Sequence, residues 1–372
     1  MILPTPLSFL VQELSAGYQL GAPGNLVSRW GGKAVGLAGL VRLGARIPAT
    51  WLLSVDAAAS VAAEGVQLPA EVGRWAVRSS ASVEDGARFS FAGQFRTELD
   101  LSPAEVPAAV RRVVASATDR GPAAYLDLTG LGAPPRMAVV LQEYQEPTAA
   151  GVWIGRSAAA GRLEWCAGPG ERLVSGAVIP AVEEWDREAG PVAPAGALTS
   201  STGAVGAACL SLQREAGMPL DLEFAVLMAT DALLWLQARP VTRPLGGPAS
   251  PGRRDIRAAA EGAANGAELL QGFAAAGGVA RGTGAVVLDP YDGNWQPGGI
   301  LIAPTTDPAW LPLMATAAGL VTASGGLLCH AAIVAREIGL PAVTGVGADV
   351  LTIADGRLLV VDGGAGTVTV EN

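Results

Sequence analysis

Apolar positions along this chain switch between two periods, and the switches fall at glycine and proline. After Gly31 and Gly32, residues 33–42 carry small and aliphatic side chains at helical spacing, which predicts a helix opening at a glycine turn. Residues 47–54 read as a strand, followed by an alanine-rich helix from Asp56. Residues 75–80 read as a buried strand ending in Arg78-Ser79-Ser80, and a second strand resumes at 95–99 after a glycine-containing loop. A helix is expected over 104–126, a strand over 137–143 and an antiparallel pair at 151–155 and 163–166. Residues 168–176 form a glycine-rich loop, and the Pro/Ala/Gly/Ser-rich stretch 180–205 is expected to be loop. Strands follow at 220–225 and 232–237. Residues 240–255 are rich in proline and glycine and read as a linker, with a helix after it over 256–273. The remainder predicts strands at 278–287, 299–303 and 319–322, and a short helix at 309–318. Short closing strands are expected at 351–353, 358–362 and 367–370. The whole is a multi-domain α/β pattern whose last part is small and compact.

The stretch 324–344, SGGLLCHAAIVAREIGLPAVT, holds His330, the chain's single histidine. Its pattern predicts a strand, a turn at Gly325-Gly326, and a helix whose first turn carries His330. Such a turn aims backbone N–H groups at the gap before a helix, a setting that favours a phosphoryl group. An imidazole there can be a nucleophile toward phosphorus. The competing reading is a half-buried histidine with one hydrogen bond. A histidine-based metal site is disfavoured, because there is no second histidine and Cys166, Cys209 and Cys329 lack ligand spacing.

Lys33 is the only lysine; every other basic side chain is arginine. A compact ammonium beside a glycine turn suits a polyphosphate, although a chance surface lysine has the same signature and the P-loop pattern is absent. Arg78, at the mouth of its strand, suits a phosphate clamp or an ion pair to Glu84 or Asp85. Asp221 and Glu223 stand two apart on one strand, so their carboxylates share a face; Gln237 and Arg239 do the same on the next strand. That arrangement suits magnesium–polyphosphate coordination or a cross-strand ion pair to Arg239.

Composition narrows the class. The chain has 372 residues and 37.5 kDa, enough for two or three domains, and at 50 % hydrophobic it is no disordered chain. A net charge of -9 argues against nucleic acid as the main partner. No apolar run reaches membrane-spanning length, no signal-type leader is evident, and three unpatterned cysteines fit a reducing cytoplasm.

Taken together, these motifs resemble the dikinase superfamily: phosphoenolpyruvate synthase, pyruvate phosphate dikinase and antibiotic phosphotransferases such as rifampin phosphotransferase. Cys329-His330-Ala331-Ala332 with the preceding Gly325-Gly326 resembles the mobile phosphohistidine domain, and Thr306-Asp307-Pro308 its preceding loop. Gly32-Lys33, Val77-Arg78-Ser79-Ser80, Glu84-Asp85, Ser90-Phe91-Ala92-Gly93, Glu223 and Gln237-Ala238-Arg239-Pro240 resemble the ATP-grasp portion. The resemblance implies an ATP-grasp domain over residues 1–242, a linker and connecting helix over 243–272, and a swivelling domain over 273–372. It implies ATP and Mg²⁺ as cofactors, with Glu223, Gln237 and Asp221 at the metal. Lys33, Arg78, Glu143, Glu223, Gln237 and Arg239 would contact nucleotide, and Lys33, Arg78, Arg239 and His330 would act in catalysis. His330 would take the β-phosphoryl of ATP and pass it to an acceptor, releasing AMP and phosphate. That acceptor would be a small molecule such as a specialised metabolite, or would sit on a partner protein. The resemblance is incomplete: no pyruvate-binding barrel is expected in this chain, only about thirty residues separate its two parts, residues 144–220 are short for the family, and the usual Gly-Leu-Gly-Glu segment reads Ala167-Gly168-Pro169-Gly170-Glu171.

Overall fold

The computed structural model describes residues 1–14, 25–82, 95–119, 122–123, 126, 135–186, 190–191, 197–241, 268–293 and 295–371. The chain divides into two compact units. One comprises Met1–Gly170 and Val182–Pro244; the other comprises Glu171–Ala181 and Leu245–Asn372. Most of the expected linker, and the loop holding Glu84, Asp85 and Ser90 to Gly93, lie outside the described residues.

Among the described residues, the first unit holds two large sheets and a small two-stranded one. One runs in the order Thr5–Pro6, Thr50–Leu53, Met137–Glu143, Trp75–Ala81 and Thr97–Leu101. We call these β1, β2, β5, β3 and β4 by chain order. The strand alternation sorts the faces: Trp75, Val77, Val139 and Leu141 bury against the helices Val55–Glu64 and Val106–Ala115. Leu52 and Val140 point the other way, into a core shared with the helix Asn25–Arg42. The second sheet contains β6 (Pro147–Ser157), β7 (Ala160–Ala167), β8 (Ala181–Asp186), β9 (Gly190–Pro191), and, beyond the small hairpin β10 (Thr199–Ser200) and β11 (Gly203–Ala204), β12 (Leu220–Leu227) and β13 (Leu233–Pro240). Its order is β13-β12-β6-β7-β8-β9. The helix Asn25–Arg42 lies so close to β13 that a Cβ on Gly36 would stand 2.4 Å from the Ala238 carbonyl oxygen. Ala34, Leu37 and Leu40 share a core with Leu222, Phe224 and Trp235, and each such large side chain contributes roughly 1.5–3 kcal/mol on burial.

The second unit is an eight-stranded assembly of β14 (Glu268–Gln271), β15 (Phe273–Ala276), β16 (Val279–Val286), β17 (Ile300–Ala303), β18 (Gly319–Thr322), β19 (Ala342–Thr344), β20 (Leu358–Asp362) and β21 (Thr367–Val370). β16, β17, β18 and β19 run parallel, and the helix His330–Ile338 is the crossover between the last two. Its core is aliphatic, built on Ile300, Ile302, Val321, Val343, Leu359 and Val361.

Several local expectations fail. Residues 268–276 are strands rather than the end of a helix, because Glu268–Gln271 pairs with Thr367–Val370 and Phe273–Ala276 with Ala342–Thr344. Within the stretch expected as loop, Ala181–Asp186 is a strand with Trp185 buried, and a helix, Val205–Ala216, begins where that stretch ends. The region 309–318 holds only short turns of helix, Pro308–Trp310 and Leu311–Met314, and Ala348–Thr352 is a 3₁₀ turn rather than a strand. Among the described residues no helix is long and apolar enough to cross a membrane.

Candidate functional site

In the first unit the site begins at a break in a helix. Asn25–Arg42 is interrupted at Gly31, whose φ of 77° is the left-handed region that only glycine adopts readily. A Cβ at Gly31 would lie 1.9 Å from the Ser80 carbonyl oxygen, so the residue cannot carry a side chain. Ser80 staples the break: its Oγ donates to the Trp30 carbonyl at 2.8 Å and accepts from the Ala34 N–H at 3.0 Å. The second helical segment therefore starts with Lys33 directed at β3, where Nζ donates to the carbonyl and hydroxyl oxygens of Ser79 at 2.9 and 3.2 Å. Lys33 is buried, so the surface-lysine reading fails.

Arg78 reaches from β3 to the second sheet. One Nη donates to the Leu236 carbonyl at 2.6 Å and to Gln142 Oε1 at 3.5 Å; the other donates to Glu223 Oε2 at 2.6 Å. Glu223 lies across from Gln237 in the β12–β13 register, and Asp221 across from Arg239. Asp221 Oδ2 accepts from Nε and Nη2 of Arg239 at 2.8 and 2.6 Å, so the cross-strand ion pair forms in this structure. Burial would raise the Glu223 carboxyl, but Arg78, Lys33 and Arg239 outweigh it and hold the group below the usual carboxylate value. Lys33, Arg78, Glu223, Gln237, Asp221 and Arg239 thus form one charged cluster. Ionised Glu223, the Gln237 amide across from it and Asp221 two residues along are hard oxygen donors of the kind that could hold a magnesium ion. Among the described residues no group of three or more His, Cys, Asp or Glu side chains comes together.

Glu143 does not join this cluster by its place in the sheet. It ends β5 opposite Trp75, on the face of Leu141 and the helix-backed core. Its neighbour Gln142 is on the face of Val140 and meets Arg78. The polar interruption of an apolar strand signalled both residues; only the period-2 alternation separates them.

In the second unit His330 is the first residue of the helix His330–Ile338, after the predicted glycine turn. Gly325 has φ 102°, and a Cβ there would meet Cys329 Sγ at 2.9 Å. The Gly326 carbonyl accepts from Thr344 Oγ1 at 2.9 Å and from Cys329 Sγ at 3.2 Å, which fixes the turn. Ser324 Oγ donates to the Gly176 carbonyl and Thr305 Oγ1 to the Ser175 carbonyl, so the segment Glu171–Ala181 belongs with the histidine loop. The imidazole is 2 % exposed, with Nδ1 3.4 Å from the hydroxyl of fully buried Thr306. Burial lowers its pKa to about 4, so the ring is neutral at pH 7.

Residues 295–366 match the family described as PEP-utilising enzyme, mobile domain, and residues 63–193 the pyruvate phosphate dikinase AMP/ATP-binding domain. The chain belongs to the phosphoenolpyruvate synthase and pyruvate phosphate dikinase superfamily. A probable phosphoenolpyruvate synthase of Methanothermobacter thermautotrophicus is 31 % identical over 330 residues, covering 79 % of this chain and 46 % of that protein. The rifampicin phosphotransferase of Bacillus cereus is 43 % identical over 104 residues, 28 % of this chain and 12 % of that one. The chain thus spans less than half the length of these curated relatives. Among solved structures, an L-amino acid ligase from Bacillus licheniformis aligns over 59 % of this chain and 44 % of its own, at 13 % identity and a TM-score of 0.31. Both units therefore carry the domain types that the sequence resemblance implies: a nucleotide-binding α/β domain and a small mobile domain holding His330.

Proposed function

We propose that this chain is an ATP-dependent phosphotransferase of dikinase type, carrying the β-phosphoryl of ATP on His330 to an acceptor and releasing AMP and phosphate. The observation that carries the reading is the chain's one imidazole, buried and neutral at the start of a helix behind a glycine turn. The cluster in the first unit supports it, because it gathers one lysine and two arginines around two carboxylates. Lys33, Arg78 and Arg239 would bind the triphosphate and offset the charge that builds as the bond between the α- and β-phosphoryl groups breaks. Glu223, with Gln237 and Asp221, would hold a magnesium ion, which would supply further neutralisation of phosphate oxygens. Arg78 and Arg239 are paired with Glu223 and Asp221, so nucleotide and metal would exchange protein counter-ions for phosphate and cation rather than desolvate lone charges. At His330, a ring nitrogen forms a bond to the β-phosphorus and AMP leaves with the bonding electron pair. The γ-phosphoryl passes to water or inorganic phosphate. Phospho-His330 then donates to the hydroxyl of a small-molecule acceptor, and the imidazole returns to its neutral form.

The test is incubation with ATP and magnesium, following AMP against ADP. β-labelled ATP should leave acid-labile label on the wild type and none on His330→Ala. ADP as the sole nucleotide product would refute the dikinase scheme. Discharge of the labelled protein by purified small hydroxyl compounds separates a small-molecule acceptor from one held on a partner protein.

A further inference from the structure

Arg78 is fixed from behind by a short chain of buried polar groups. Thr50 and Gln142 are 8 % and 2 % exposed, in adjacent strands of an apolar sheet, and cross-strand partners in register. Thr50 Oγ1 lies 2.7 Å from the Pro48 carbonyl oxygen, and Gln142 Nε2 lies 3.0 Å from Thr50 Oγ1. Gln142 Oε1 faces an Arg78 Nη at 3.5 Å.

The donor and acceptor inventory allows one direction only. A carbonyl accepts, so the Thr50 hydroxyl must donate to Pro48. Its oxygen is then left to accept, so Gln142 must turn its NH₂ toward Thr50. The carboxamide is planar, and its carbonyl oxygen is thereby presented to the guanidinium, which can only donate. A flipped amide would set NH₂ against guanidinium and leave two buried donors facing each other.

We infer that Thr50 is a positioning residue for the nucleotide site, acting through Gln142 to hold Arg78 in place. The inference rests on the reading above that Arg78 contacts phosphate. Three groups hold the Arg78 guanidinium: the Leu236 carbonyl, Glu223 and Gln142. When nucleotide and metal draw Glu223 away, Leu236 and Gln142 are the contacts that remain among these three. The Leu236 carbonyl fixes one Nη as a point. The second acceptor, Gln142, restrains rotation of the plane about that point, and a planar fork binds phosphate well only when its plane is set. A purely structural role would make Thr50 and Gln142 no more than a satisfied buried pair, indifferent to nucleotide.

Three variants of the full chain decide between these roles, with MgATP affinity measured by equilibrium titration and thermal midpoint measured alongside. Thr50→Val keeps the shape and removes the hydroxyl, and should weaken MgATP binding by about five- to tenfold, the loss of roughly one oriented hydrogen bond. Thr50→Ser retains the hydroxyl and should restore affinity. Arg78→Ala should weaken binding further. The Gln142 carboxamide ¹⁵N signals should show slow solvent exchange in wild type and Thr50→Ser, and lose that protection in Thr50→Val. Unchanged affinity in Thr50→Val while Arg78→Ala is weakened would overturn the relay and leave the nucleotide site standing. Unchanged affinity in both would remove Arg78 from the site, and the relay with it. Loss of the fold in Thr50→Val, with Thr50→Ser folded, would overturn the relay and assign Thr50 a structural role only.

Discussion

The state of the His330 ring sets a measurable number. Burial holds its pKa at about 4, against an ordinary value of 6.5. The unfolded chain therefore binds a proton that the folded unit refuses, and stability must fall as pH drops from 6.5 toward 4. Working the two titrations together gives a loss of roughly 2 kcal/mol by about pH 5 and about 3 kcal/mol by about pH 4, relative to neutral pH. This contribution is fully present above 6.5. Carboxylates titrate over the same range, so the signal is the difference between wild type and His330→Gln. Opening free energies from hydrogen exchange in β18 and β19 should fall with acid by that much more in the wild type. A direct check is simpler, because one histidine gives one set of imidazole resonances. Its ¹³C and ¹⁵N shifts should titrate with a midpoint near 4. A midpoint near 6.5 would mean that the ring is hydrated and shared with solvent, and the argument for a preformed neutral nucleophile would fail.

Lys33→Ala and Arg239→Ala should each lower kcat/KM for AMP formation by roughly 10²-fold or more, since each removes a cation from a preorganised phosphate site. Arg239→Ala also leaves the Asp221 carboxylate without its fork and should cost additional stability, read as a lower thermal midpoint. Glu223→Gln should abolish magnesium-dependent strengthening of ATP binding while nucleotide binding without metal persists; equal magnesium dependence in both proteins would remove Glu223 from the metal. Gly31→Ala places a Cβ 1.9 Å from the Ser80 oxygen at a positive φ and should cost several kcal/mol, seen as loss of cooperative unfolding in the first unit.

The parts of the site that stood out in the sequence were the ones with scarce residue types. A single lysine and a single histidine, each beside paired glycines, needed no tertiary information. The helix start after Gly31-Gly32 and the strands Trp75–Ala81 and Met137–Glu143 were legible for a related reason, because their turn chemistry and apolar runs are local; that helical residues also precede Gly31 was not. Residues 268–276 were not, because an Ala-rich stretch with good helix propensity is drawn into strands by partners nearly seventy to a hundred positions away. Gln142 belongs to no motif of the family resemblance, yet the alternation of β5 puts it, and not Glu143, on the side of Arg78. Thr50 carried no local signal at all. Its significance comes from a hydrogen bond to a residue 92 positions on. Whether Asp221 would face a metal or Arg239 was left open by spacing, and the structure shows the ion pair.

The pocket that makes His330 a good nucleophile is a poor place for its product. Phosphorylation adds a charge of roughly −1.5 to −2 and three acceptor oxygens. The ring is 2 % exposed, with Thr306, Cys329 and Ala332 buried beside it in space or sequence. An uncompensated buried charge costs several kcal/mol, more than a helix N-terminus returns. The first-turn N–H groups of His330–Ile338 offset part of this, typically up to ~2 kcal/mol in a partly buried setting. The remainder favours opening of whatever covers the ring. The segment Glu171–Ala181 is hydrogen-bonded to the histidine loop through Ser324, Thr305 and Gly325. We therefore expect phosphorylation to loosen that segment. Hydrogen exchange after ATP loading should show faster amide exchange at 175–178 and 324–329, with β17 and β18 unchanged as an internal reference, and no change in His330→Ala. Equal protection before and after loading would mean that the phosphoryl group is accommodated in place, and that burial of the ring has nothing to do with its release.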